Sequence, residues 1–138
     1  MTSTLIDSNV MFDILDATPI WKEWSTKHLR KLDARGDFVI NQIIYGEVSI
    51  PFRNEAQFTA AFPINWARRE DVPWPAAFRA GKAFFEYKKR GGPSKQVLPD
   101  FMIGAHAAVM GYRLITRDGA RFRTYFPDIE IIAPDTHP

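Results

Sequence analysis

The sequence predicts an α/β domain with a central, mostly parallel sheet and helices on both faces. Two observations carry this reading. Short apolar runs alternate with amphipathic helical segments, and the connections between runs are too long for hairpins, so successive strands must lie parallel with a helix packed in each crossover. At 138 residues with 46% hydrophobic, 14% aromatic and 25% charged residues, the chain is close to the commonest size of a single domain and buries roughly two-thirds of its unfolded surface. Residues 1–138 are therefore expected to form one domain around one core. No internal repeat or low-complexity tract interrupts it.

Thr4, Leu5 and Ile6 form a short apolar run ended by Asp7, and Asn9 to Leu15 then reads helically, with Val10, Met11, Ile14 and Leu15 on one face. This is a strand feeding a helix. Ile20 to Leu32 is amphipathic: Ile20, Trp21, Trp24, His28, Leu29 and Leu32 line one stripe, and Lys22, Glu23, Lys27, Arg30 and Lys31 the other. After a turn at Arg35, Gly36 and Asp37, Phe38 to Ile40 reads as a second strand, followed by helices from Gln42 to Ile50 and Glu55 to Phe62. The stretch 63–75, with three prolines and two tryptophans, reads as a connection packed on the core surface. Ala76 to Tyr87 is helical again, 90–99 is a loop, and Asp100 to Met110 is a buried helix of small apolar residues. Tyr112 to Thr116 is a third strand, a short helix follows to about Tyr125, and Ile129 to Ile132 is the last strand.

Composition excludes several classes of function. With no cysteine there is no disulfide framework, thiolate zinc site, iron–sulfur cluster or cysteine nucleophile, and a reducing compartment is the natural home. The first ten residues lack a basic leader pattern, and no apolar run approaches the roughly 20 residues of a membrane span. A cytoplasmic protein with no membrane association is expected. The net charge of +2 and pI near 9.0 permit a polyanionic partner without requiring one.

In an open α/β sheet, ligands bind at the carboxyl ends of the strands. Asp7 closes the first strand and Asp118 follows the third, so both belong at that edge, although either could be only a helix cap or turn residue. Glu47 lies three and four residues after Ile44 and Ile43, and Asp100 precedes Ile103, Gly104, Ala107 and Ala108 at helical spacings. A carboxylate on a core-facing stripe is costly unless paired or metal-bound. Ion pairs with Arg53, Arg113 or Arg117, or capping by Asp100, are the alternatives. Four acids with no matching set of inward-facing bases suit a hard cation such as Mg²⁺ or Mn²⁺, which takes oxygen ligands.

The histidines offer less: His28 and His106 lie on helix stripes and His137 in the tail, and His106 reads as a hydrogen-bonded core residue. Lys82, Lys88, Lys89 and Arg90 are either an RNA-tracking patch or a solvated helix end. Trp24 reads as core.

Leu5 to Asn9, the isolated Glu47, the run from Asp100 to Ala107, and Leu114 to Asp118 with Phe122 behind it together resemble the PIN-domain ribonucleases, most closely the VapC-type toxins of toxin–antitoxin pairs. The resemblance spans nearly the whole chain, except 63–92. It implies a PIN-like three-layer α/β/α fold and a metal site formed by Asp7, Glu47, Asp100 and Asp118, with Asn9 ordering Asp7 and Thr116 supporting the Asp118 loop. It further implies Mg²⁺- or Mn²⁺-dependent endoribonuclease activity leaving a 5′-phosphate and a 3′-hydroxyl. The implied partners are an RNA substrate, a cognate basic-tailed antitoxin and a second copy in a homodimer, with Trp66, Trp74, Phe78, Phe84 and Phe85 as the apolar surplus. The alternatives are a PIN fold that only binds RNA or partners, or a nuclease of RNA processing without an antitoxin. A haloacid-dehalogenase-like phosphatase would need a carboxylate at Asn9, and a receiver domain a lysine where Arg117 stands.

Overall fold

A computed structural model describes residues 2–15, 19–93 and 97–138. The chain runs β1 (Thr4–Ile6), α1 (Ser8–Leu15), α2 (Pro19–Asp33), β2 (Phe38–Ile40), α3 (Gln42–Ser49), α4 (Glu55–Ala61), β3 (Arg68–Arg69), α5 (Trp74–Lys89), α6 (Leu98–Met110), β4 (Arg113–Ile115), α7 (Gly119–Tyr125) and β5 (Ile131–Ile132). The strands form one sheet in the order β3-β2-β1-β4-β5, and every pairing is parallel. Every residue of β1, β2 and β4 is buried whichever way its side chain points. Alternate residues of a strand face opposite sides, so both faces of the sheet are covered, as the three-layer expectation requires.

The first strand lies at the centre of the sheet: Leu5 and Ile6 are fully buried between Val39 of β2 and Leu114 and Ile115 of β4. Two expectations are corrected. The stretch 63–75 is not only a connection, since Arg68 and Arg69 pair with Val39 and Ile40 and add a fifth strand at the sheet edge. Ile20 is not part of the buried stripe of α2; it is 74% exposed, while Trp24, Ser25, His28, Leu29 and Leu32 face inward. Trp24 also donates Nε1–H to the His137 carbonyl at 2.7 Å, fixing the tail against α2. Of the expected 90–99 loop, 94–96 lie outside the described residues.

The small residues of α6 have a packing reason. A Cβ added at Gly104 would stand 2.6 Å from the Phe126 ring and 2.9 Å from Phe122, so the missing side chain lets α7 and the residue after it close onto α6. Both phenylalanines are buried. Gly111 then ends α6 with φ +71°, a left-handed conformation that glycine adopts without steric cost. Gly104→Ala is expected to lower stability by about 1–3 kcal/mol through overpacking, which urea unfolding will measure.

Candidate active site

The four acids predicted from sequence do gather around the carboxyl ends of the central strands. Asp7 follows β1 directly and is 5% exposed. Its two oxygens are held from two sides: the Thr116 hydroxyl donates to Oδ2 at 2.8 Å, and the Ser8 backbone N–H donates to Oδ1 at 2.8 Å. Thr116, fully buried at the end of β4, also accepts the Asp118 N–H at 3.0 Å. One hydroxyl therefore links the acid of β1 to the loop that carries the acid of β4. Asn9 acts one step further out than expected. It reaches Thr116 Oγ1 with Nδ2 at 3.5 Å and accepts the Arg117 N–H at 3.3 Å, so it orders the partner of Asp7 rather than Asp7 itself.

Glu47, on α3 between buried Ile44 and Val48, is half-buried and accepts the Ser8 hydroxyl at 2.9 Å. Ser8 thus bridges two acids, one through its backbone and one through its side chain. Asp100 lies in the first turn of α6, whose cap position is Val97, and Asp118 stands at the cap position of α7 without a side-chain capping bond. Capping therefore does not explain either residue.

The bases are arranged differently from the sequence expectation. Arg113 pairs with Glu130, and Arg117 pairs with Asp13 at 3.0 Å while lying 4.9 Å over the Trp21 ring. Arg53 pairs with none of the four acids among the described residues. The expectation that no inward base matches the acids is overturned by Arg121, which pairs with Asp100 at 2.5 Å and Asp118 at 3.6 Å. The signal was legible in principle, because Arg121 follows Asp118 by three residues at the start of a helix.

The electrostatics follow from burial and crowding. Burial pushes the Asp7 carboxyl up to about 7; the Thr116 and Ser8 hydrogen bonds oppose this, and the charges of Asp100 and Glu47 add to it. Glu47 is raised by burial and by Asp100, with the Ser8 bond opposing. Asp100 is raised by burial and by Asp118, although Arg121 works the other way. All four acids are thereby linked through Asp100. Among the described residues no three acidic or histidine side chains form a ready-made ligand cage. The donor set nevertheless fits a hard divalent ion by its chemistry: every donor is an oxygen, and adjacent carboxylates resist full ionisation unless a cation joins them.

Other sequence candidates separate from this site. His106 is fully buried and hydrogen-bonded, as expected: Nδ1 accepts from Asn41 Nδ2 at 3.0 Å and Nε2–H donates to Glu70 at 2.7 Å. Lys88 and Lys89 end α5, where they complement its dipole, and Lys88 also donates to the Gly92 carbonyl. Trp74, Phe78 and Phe85 are 88%, 69% and 62% exposed, whereas Trp66 and Phe84 are half-buried against the core.

In the unfolded chain Asp7 releases its proton near 3.8, but in the fold it keeps it until about 7. The stability this group contributes is complete below about pH 4 and is lost as pH rises through 7, by a few kcal/mol at most. In chelator, wild type is expected to melt at lower temperature at pH 8 than at pH 5. Asp7→Asn removes that titration, so its melting curve should depend less on pH and lie above wild type at pH 8 in differential scanning calorimetry.

No protein-family model matches the chain, and no curated protein matches its sequence. Solved structures do match its fold. A chain of VapBC2 from Rickettsia felis, crystallised with a DNA fragment from its promoter, superposes with a TM-score of 0.73 at 15% identity, covering 95% of this chain and 98% of that one. A chain of FitAcB from Neisseria gonorrhoeae gives 0.73 at 20% identity, covering 98% and 99%. A chain of a toxin–antitoxin complex from Klebsiella pneumoniae gives 0.66 at 22% identity, covering 95% and 97%. Such identities speak for fold alone, and in fold this chain is a PIN-like α/β domain on the plan of the VapBC2 and FitAcB chains, the fold that the sequence resemblance implies.

Proposed function

We propose that the chain is a metal-dependent endoribonuclease that serves as the toxin of a toxin–antitoxin pair. The observation that carries this reading is the cluster of Asp7, Glu47, Asp100 and Asp118 at the carboxyl edge of a PIN-like sheet, mutually repelling and built only of oxygen donors. These four residues would hold Mg²⁺ or Mn²⁺. When bound, such an ion orients a scissile phosphate, lowers the pKa of a water and stabilises charge on the attacking and leaving oxygens.

The chain's own groups supply the positioning. Thr116 and Ser8 aim the two oxygens of Asp7, and Ser8 also steadies Glu47. Asn9 holds Thr116 and the Arg117 backbone, so the loop leading to Asp118 keeps its place. Because burial favours the neutral form of Asp7, the site is prone to protonation below neutrality, and productive ionisation is favoured as the pH rises.

The fold neighbours are complexes, among them a toxin–antitoxin complex, which supports an antitoxin as partner here. A basic residue of that partner would pair with the acidic cluster and suppress cleavage. The exposed Trp74, Phe78 and Phe85 on one face of α5 support a homodimer. Among the described residues no helix is long and apolar enough to cross a membrane.

Purified protein is expected to cut single-stranded RNA with Mg²⁺ or Mn²⁺, leaving 5′-phosphate ends, and to stop in excess chelator. Asp7→Asn and Asp100→Asn should each lower kcat/KM by orders of magnitude with an unchanged circular dichroism spectrum. Cleavage that persists in chelator would overturn the metal mechanism. Light scattering over a concentration series is expected to give the mass of a dimer.

A further inference from the structure

Arg121 has one guanidinium and two of the four site acids. Its Nη1 lies 2.5 Å from Asp100 Oδ2, and its Nε lies 3.6 Å from Asp118 Oδ2. Two edges of one planar cation thus reach carboxylates on two different elements, an arrangement that a point charge on a lysine could not reproduce. Among the described residues no other lysine or arginine forms an ion pair with any of the four acids.

Packing keeps this cation where it is. Arg121 precedes Phe122 on α7, and Phe122 and Phe126 seat against Gly104 of α6, one turn beyond Asp100 on the same helix. The ring contacts fix α7 against α6, so Arg121 and Asp100 are brought together by the core rather than by chance encounter of two flexible side chains. The pair is only partly screened: Arg121 and Asp100 are 35% and 31% exposed.

We propose that Arg121 is a resident counter-cation of the acidic site, which competes with an incoming divalent ion for Asp100 and Asp118 and so sets the concentration of free ion needed to load it. This rests on the metal-site reading above. A carboxylate oxygen engaged by a guanidinium is not free to ligate an ion, so loading through Oδ2 of Asp100 or Asp118 must displace Arg121, and the free energy of those contacts is subtracted from ion affinity. In the ion-free protein the same contacts relieve repulsion among the acids. The device makes the empty site tolerable and the loaded site conditional.

The neighbouring pair on α7 supplies a control of equal charge. Arg123 binds Asp135 at 2.6 Å on the exposed surface and touches none of the four acids. Mn²⁺ is titrated by calorimetry into chelator-stripped wild type, Arg121→Gln, Arg121→Lys and Arg123→Gln, and the ion-free melting temperature of each is recorded. Arg121→Gln is expected to bind Mn²⁺ about threefold to tenfold tighter than wild type and to melt lower without ion. Arg121→Lys should fall between the two, and Arg123→Gln should match wild type in Mn²⁺ affinity. Equal or weaker Mn²⁺ binding by Arg121→Gln overturns the competition while leaving the metal site intact. No saturable binding by any variant overturns the metal-site reading and the competition together.

Discussion

A carboxylate placed where water scarcely reaches is the constraint around which this fold is arranged. Asp7 ends the central strand and is 5% exposed, and an isolated buried charge there would be untenable. The surroundings answer with a hydroxyl from the residue just after β4 and a backbone N–H from α1. Both donors depend on register: Thr116 reaches Asp7 because Ile6 and Ile115 are paired neighbours, so each chain segment continues one residue beyond its strand at the same height. A slip of one residue between β1 and β4 would turn Thr116 to the opposite face and leave Asp7 without its main donor.

The loop after β4 is steadied from the other side as well. Arg117 points away from the acids, to Asp13 and the Trp21 ring, while Asp13 also accepts the Ser25 hydroxyl in the interior. The backbone of the same residue donates to Asn9. Thr116 and Asp118 thus flank a residue whose side chain is tied into α1 and α2. On this side the acidic cluster is braced by an ion pair and a cation–ring contact.

Much of this was legible in the residues. Strong apolar runs such as Phe38 to Ile40 and Leu114 to Ile115 coincide with strands, and the four acids stand out because each follows a strand or interrupts an apolar stripe. The rest was hidden for physical reasons. Arg68 and Arg69 carry no apolar pattern, since an edge strand of two residues is held by backbone pairing and by long side chains reaching Asp37, Glu70, Tyr45 and Tyr112. Arg121 escaped a search for bases on inward-facing stripes because it reaches the acids from a half-exposed helix start. Ile20 fits the period of α2 but sits in its first turn, beyond the reach of the core. Glu70 gains its meaning only once β3 brings it to the imidazole of His106.

That edge strand has a further consequence. A parallel sheet exposes a row of unpaired amide and carbonyl groups at its border, which is a template for adding strands from other molecules. Here the β3 border is two residues long, its side chains are arginines pinned by carboxylates and aromatic rings, and the chain turns away to Pro73, which caps α5. On the β3 side the sheet is thus blunted against strand-to-strand pairing, so growth of the sheet from that border is disfavoured.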